Sequence, residues 1–428
     1  MSATIGLKQK SGYSTYKLYT LILVLSPILR QYKSGIPGVT LAELTLGITG
    51  LLVFGKEFKI SFNKALPLIY LWFIGVFLSL NSYFFQQCIY FESVSRLIRF
   101  SFYVFLVVIA TNYFQLSYAL KILKILSIAV SIYIIGQTIV YNILGVILPF
   151  KILPFPLWND IDTGYMLNFA SKYYFRPSGV FVEPGYAAQF LLPSLAFSLF
   201  GWLNEEKVDY KCVVLIFTAM ILTTSAQGIF LGMFVLGVFL MYKIRKNEKF
   251  TGVYEKLLLI ALILILLVAF FSLDYIQLAI NKVTGEVRAG SSFALRVYRG
   301  FAVFAQLPVI YKIVGVGHGN MGNFVLANDI ITKYDSAKTT LDYADYSSGL
   351  STVLVSYGII GFLFLIAMYI SLVRNTKGAF RLIGMTFIIM SFVANISFSV
   401  LIVFYLSLIY SGYTDRKVKL HNSKVVIL

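Results

Sequence analysis

The chain has 428 residues, of which 59% are hydrophobic and 13% charged, with a mean hydropathy of +0.82. Soluble domains carry about 25% charged residues, so this composition excludes one and points to an all-α polytopic membrane protein. The net charge of +18 gathers in short loops between apolar runs, as expected for cytoplasmic loops of a membrane protein, and excludes a nucleic-acid partner as its explanation. Two cysteines and two histidines are too few for a disulfide framework or a metal site built from several such ligands.

A helix needs about 20 apolar residues to cross the hydrocarbon core. On that rule spans are expected near 16–29, 39–55, 65–84, 93–113, 122–148, 178–200, 212–224, 226–242, 257–273, 349–373, 382–397 and 399–412, twelve in all. Lys8, Lys10 and Lys17 precede the first run, which lacks a small-residue cleavage site and reads as an uncleaved first span. Segments 1–15, 56–64, 114–121, 201–211, 243–256, 374–381 and the tail from Arg416 are then cytoplasmic. Lys243, Arg245, Lys246, Lys249 and Lys256 crowd one of them, and Arg374, Lys377 and Arg381 another.

Two external segments remain that are too long for turns: 149–177, rich in Pro, Trp and Tyr, and 274–348. Long loops in a compact protein are usually functional. The chain thus reads as a single integral membrane domain, 1–428, with the 274–348 loop capping one end of the bundle.

Polar residues at membrane borders supply the candidates. In the fourth span Arg96 and Arg99 share a helix face toward the outer half, where paired guanidinium groups face a hydrated cavity or an anion. Arg176-Pro177-Ser178-Gly179-Val180-Phe181-Val182-Glu183-Pro184-Gly185 stands where a polar stretch becomes apolar. Its prolines and glycines break helix, and irregular backbone at membrane depth normally lines a cavity. If this segment were helical, Arg176 and Glu183 would stack two turns apart. Within the large loop, 294–311 has a helical pattern that places Arg296 and Arg299 on one face, with Arg288 upstream. A glycine-dense turn around His318 follows, Gly315-Val316-Gly317-His318-Gly319-Asn320, suited to bringing backbone N–H groups close to a ligand. Asp342 and Asp345 lie on the return to the membrane. Bland readings stand beside these: solvated arginine pairs, a turn histidine, solvating loop acids, and a structural Glu183–Arg176 bridge.

Three of these stretches together resemble a known family. Arg176-Pro-Ser-Gly-Val-Phe-Val-Glu183-Pro184, Arg296 leading to Gly315-Val-Gly-His-Gly-Asn320, and Val355-Ser-Tyr-Gly-Ile-Ile-Gly361 are similar to motifs of the O-antigen and capsule repeat-unit polymerases (Wzy-type), which share a superfamily with the O-antigen ligases. The resemblance covers about residues 170–375 by motif and most of the chain by architecture. It departs in one place: Ser347 stands where ligases usually carry a histidine, which argues for a polymerase over a ligase.

The resemblance implies a glycosyltransferase of the bacterial cytoplasmic membrane. Its donor is a glycan on undecaprenyl diphosphate, its acceptor a lipid-linked repeat unit, and it acts beside a flippase and a chain-length regulator. Because the leaving group is already activated, no cofactor or metal is expected. Glu183, Arg176 and Arg296 are the expected catalytic set, with Glu183 as base and Asp342 or Asp345 as competing bases. Arg96, Arg99, Arg288, Arg299, His318, Asp342 and Asp345 are the expected substrate-binding set. The alternatives are a ligase-type transferase, a flippase or transporter, and a non-catalytic scaffold. A transporter commonly shows an internal repeat, and the sequence has none.

The basic-loop count makes a direct prediction. Reporter fusions after Lys249 and Arg381 should read as cytoplasmic and one near Asp335 as external; an external signal at Lys249 would reverse the orientation.

Overall fold

The computed structural model describes residues 2–56, 61–85, 90–158, 175–202, 207–245, 294–335 and 345–413. Their regular structure is helical, with two isolated β-bridges and no strand among the described residues. Before the large loop come α1 (Ser2–Leu29), α2 (Leu41–Phe54), α3 (Leu66–Phe85), α4 (Tyr90–Tyr113), α5 (Leu116–Leu144), α6 (Pro184–Phe200), α7 (Tyr210–Leu222) and α8 (Ala226–Arg245). Within that loop are a π-helical turn (Ala294–Arg299), α9 (Gly300–Gln306), α10 (Val309–Val314) and α11 (Met321–Ala327). The chain closes with α12 (Gly349–Arg374), α13 (Gly378–Val393) and α14 (Leu401–Ser411).

Among the described residues, five helices are long and apolar enough to cross a membrane: those spanning Leu66–Tyr83, Glu92–Tyr113, Leu116–Leu144, Ala226–Lys243 and Gly349–Arg374. Five shorter apolar helices accompany them. The protein is therefore a helical, multi-pass membrane protein. The expected span 257–273 lies outside the described residues.

Helix ends follow local chemistry. At α2, Thr40 Oγ1 accepts from Glu43 N (3.2 Å) while Glu43 Oε2 accepts from Thr40 N (2.7 Å), a capping box that satisfies two otherwise orphaned donors. Helix α5 stops at Gly145, which is left-handed at φ +67° and donates to Tyr141 O. Pro184 opens α6 at the position where its missing N–H costs nothing.

Helix α6 is the hub. Every residue from Ala187 to Leu199 is buried, and the helix packs on α5, α7, α8 and α13. A helix apolar all round has to sit in the interior. The outer helices instead turn large apolar side chains outward, among them Phe73 and Phe77 of α3, Ile139 and Ile143 of α5 and Leu363 of α12. In water such a surface would be costly; against lipid tails it is the expected one.

The large loop departs from expectation in two ways. The 294–311 stretch is broken at Leu307 and Pro308 rather than forming one helix, and it begins with a π-helical turn. That wider turn separates Arg296 from Arg299, so the two do not share a face.

The loop also enters the bundle instead of only covering it. Helix α12 is interrupted at Gly358 (φ +62°), which frees carbonyls just before the break. Val316 N and Gly317 N donate to Val355 O (3.0 Å) and Ser356 O (2.9 Å). The glycine-dense turn therefore spends these N–H groups on α12. The fit admits no side chain at two places. A Cβ on Gly358 would collide with the Ile313 carbonyl, and one on Gly315 with the Ser356 carbonyl.

Gly358→Ala should accordingly destabilise the protein, because this glycine-only backbone conformation costs an L-residue on the order of 1–3 kcal/mol before the collision is counted. Gly136→Ala in α5, where the added Cβ meets nothing within 4 Å, is the control. Thermal unfolding in detergent checks both; a Gly358→Ala protein melting with wild type would mean that the loop does not dock on the break.

Candidate functional site

Residues 175–183 carry no helix, so the conditional stacking of Arg176 over Glu183 does not occur. Two glutamine amides hold this segment instead. Gln137 of α5 accepts from Gly179 N (2.9 Å) and donates to Gly179 O (3.1 Å). Gln31, just past α1, donates to Val180 O (2.6 Å) and accepts from Val182 N (2.8 Å). Each amide presents one donor and one acceptor to the chain, as a neighbouring strand would. Gly179 is left-handed at φ +64°.

This clamp delivers Glu183 to the head of α6. Glu183 occupies the N-cap position, yet its side chain makes no capping hydrogen bond. Its carboxylate faces Arg296 of the π-helical turn, with Oε2 4.0 Å from Nη2. The Arg296 guanidinium lies 5.0 Å from the Tyr346 ring centre and bonds the Tyr346 hydroxyl through Nε. Burial works against its charge, but Tyr346 and Glu183 outweigh that, and its pKa ends above the ordinary value. Two of the three expected catalytic residues, Glu183 and Arg296, thus meet from distant parts of the chain. Arg176 goes elsewhere: its Nε donates to Thr224 Oγ1 (3.3 Å), and Thr224 itself is held at φ +51°, a strained conformation for a β-branched residue.

The other candidates separate. Arg96 pairs with Asp345 (Nη1–Oδ2 2.5 Å) and lies 3.9 Å from Glu92. Asp345 also accepts from Gly322 N (2.7 Å), so both its oxygens are engaged. Arg99 reaches α2, with Nε 3.0 Å from Glu43 Oε1, and bonds the Gly38 carbonyl. Arg299 is 0% exposed and bonds Asp335, which Thr332 also caps. That burial corrects the expectation of a substrate contact: Arg299 is a strut of the loop. Arg288 and Asp342 lie outside the described residues.

His318 is likewise a strut, 4% exposed. Its N–H donates to Ser79 Oγ (2.9 Å), its carbonyl accepts from Tyr83 (2.8 Å), and its Nδ1 shares a hydrogen bond with Tyr357 Oη (2.7 Å). Phe100 stacks on the ring and Phe398 meets it edge-on. The expected substrate contact is replaced by a lock joining α3, α4 and α12.

Beside Tyr186 a cleft of about 250 Å³ opens. Arg30 and Gln31 line it from the end of α1, Thr40 and Glu43 from α2, and Arg99 and Tyr103 from α4, with Trp158 and Ser399 at other walls. The Arg30 guanidinium stacks 4.0 Å from the Tyr186 ring centre. Burial pushes its pKa below the ordinary value, partly countered by Tyr186 and Glu183. The 150–158 segment is strapped across this end: Trp158 N donates to Gln31 O (2.7 Å), and Ile152 N and Leu153 N donate to Tyr32 Oη.

Arg30, Gln31, Glu43, Tyr103, Gln137 and Tyr186 were not singled out by sequence. Signals existed for two of them. Glu43 is an acid inside an expected span and has capping-box spacing from Thr40, and Gln137 interrupts an apolar run. Comparison of the chain with protein-family models and with characterised proteins gives no match.

Burial lowers the His318 pKa from 6.5 to about 3, with the nearby Arg96 charge adding to the effect. The unfolded chain binds this proton near its ordinary value, so the neutral ring contributes stability that is complete above about pH 6.5 and lost as pH falls toward 3. At pH 5 the loss amounts to about 2 kcal/mol. Wild type should lose more thermal stability than His318→Gln between pH 7 and pH 5; parallel curves would show that the imidazole is not buried.

Proposed function

We propose that the protein is a polysaccharide repeat-unit polymerase of the bacterial cytoplasmic membrane, with twelve spans and its site on the outer face. The observation that carries this reading is the meeting of Glu183 with Arg296, the centres of two of the stretches on which the family resemblance rests. A carboxylate unspent on its helix cap, beside a guanidinium held by Tyr346, is an arrangement suited to proton abstraction next to developing negative charge.

The reaction runs as follows. An acceptor sugar hydroxyl attacks the anomeric carbon of the donor glycan, and its proton passes to the Glu183 carboxylate. The new C–O glycosidic bond forms as the bond from the anomeric carbon to the diphosphate oxygen breaks. Undecaprenyl diphosphate departs with that electron pair. Arg296 orients Glu183 and offsets the charge that gathers on the leaving group. The donor carries its own activation, so positioning and electrostatics account for the protein's share.

Trp158 and Tyr346 stand at the rim, where aromatic rings suit both sugar faces and the membrane interface. Arg96 and Arg99 support the site through Asp345 and Glu43, holding the loop return and the start of α2 in place. A flippase and a chain-length regulator are the partners such an activity requires.

The test is in vitro elongation with a lipid-linked repeat unit. Glu183→Gln should lower turnover by about 10²–10⁴-fold while binding of the repeat unit stays within a few-fold. Arg296→Ala should lose turnover, and Arg296→Lys should recover only part of it, since an ammonium lacks the planar fork. Elongation by Glu183→Gln within a few-fold of wild type would remove it as the base.

A further inference from the structure

We infer that the cleft between the outer ends of α1, α2 and α4 binds a phosphate-bearing group, and that Arg30 is its principal ligand residue. The inference rests on the proposed polymerase only in naming a polyprenyl diphosphate as the physiological source. Arg30 itself follows from the geometry.

The cleft is lined by two guanidinium groups and one carboxylate. Glu43 is committed: Arg99 and Tyr103 share Oε1, and Thr40 takes Oε2 through N and Oγ1. Glu183, the other nearby acid, faces Arg296. Arg30 forms no ion pair among the described residues, and Glu183 acts on it only from a distance. Its Nη2 is shut off from solvent and has no acceptor among the described residues. A half-buried guanidinium with a sealed, unpaired nitrogen is costly, and its conformation here is held by Tyr186, whose ring covers one face. With a face stacked, the in-plane N–H edges remain for a ligand. Those edges match the oxygens of a phosphate.

Size and position narrow the ligand. At about 250 Å³ the cleft falls below the range of about 300–1,000 Å³ that holds drug-sized molecules. It admits a head group but no oligosaccharide. It also lies at the ends of membrane helices, the depth at which a lipid phosphate sits. Tyr103 and Ser399 also line its walls, their hydroxyl protons given to Glu43 Oε1 and Ile396 O.

Full-length protein in nanodiscs is titrated with undecaprenyl diphosphate and, separately, with inorganic pyrophosphate. Fluorescence of Trp158, which lines the cleft, is followed in a Trp72→Phe, Trp202→Phe background. Charged hydrogen bonds are worth roughly 1.5–3 kcal/mol, so Arg30→Gln should weaken binding by about 10–150-fold. Arg30→Lys should fall between the two and also serves if Arg30→Gln does not fold. Tighter Arg30-dependent binding of the lipid assigns the site to a lipid head group; equal binding of pyrophosphate assigns it to free phosphate, and either supports the inference. Affinities for both probes unchanged by Arg30→Gln or by Arg30→Lys, with Trp158 unmoved, would overturn it. Arg30-dependent binding by a wild type that elongates no glycan would leave this site standing and remove the polymerase. Elongation and binding both indifferent to Arg30 would do the reverse.

Discussion

Non-helical backbone inside an apolar bundle must find hydrogen-bond partners there, because lipid offers none. That requirement organises the functional end of this protein. The segment leading to Glu183 is unwound, and the side-chain amides of Gln137 and Gln31 complete its backbone pairing. The 315–317 stretch is unwound as well, and the break at Gly358 supplies it with carbonyls from α12. Two irregular chains thereby reach the bundle at fixed positions, and Glu183 and Arg296 meet because both are so fixed.

Charge follows the same logic. Arg96, Arg99, Arg296 and Arg299 each face an acid from a different part of the chain: Asp345, Glu43, Glu183 and Asp335. These pairs differ in burial. Arg299 with Asp335 is almost sealed, whereas Glu183 and Arg296 remain about one-third exposed. A sealed pair serves conformation; a pair open to a cavity is available to a ligand. The distinction sets Arg299 apart from Glu183 and Arg296, and it cannot be drawn from residue type.

Much of the scaffold was legible because long apolar runs leave few alternatives. The start of α2, the turn between α7 and α8, and the course of α3 and α4 fall within a few residues of where the sequence puts them. Other helices are displaced further: α5 starts six residues before the expected 122 and α6 six after the expected 178, while α13, expected over 382–397, is observed at Gly378–Val393. The loop was harder. Its apolar spacing suited a regular helix, but tertiary packing around Arg296 and Arg299 imposed a π-helical turn. The glycines at 315–319 advertised close backbone approach, and the approach is real, but α3, α4 and α12 are what come close. His318 and Arg299 looked chemical by type and are structural by burial. Arg30 was overlooked since a lone basic residue ending a span resembles an ordinary anchor, and only Tyr186, more than 150 positions later, gives it another meaning.

The ladder between Val316–Gly317 and Val355–Ser356 also bears on how the outer face can move. Lifting the loop at this point would leave two donors and two acceptors stranded at apolar depth, while His318 would have to pull free of three helices. Such a joint behaves as a weld, and the loop around it travels with α12 as one body. Any widening of the cleft then falls to the 150–158 strap, whose attachment is a handful of bonds to Gln31, Tyr32 and Lys33.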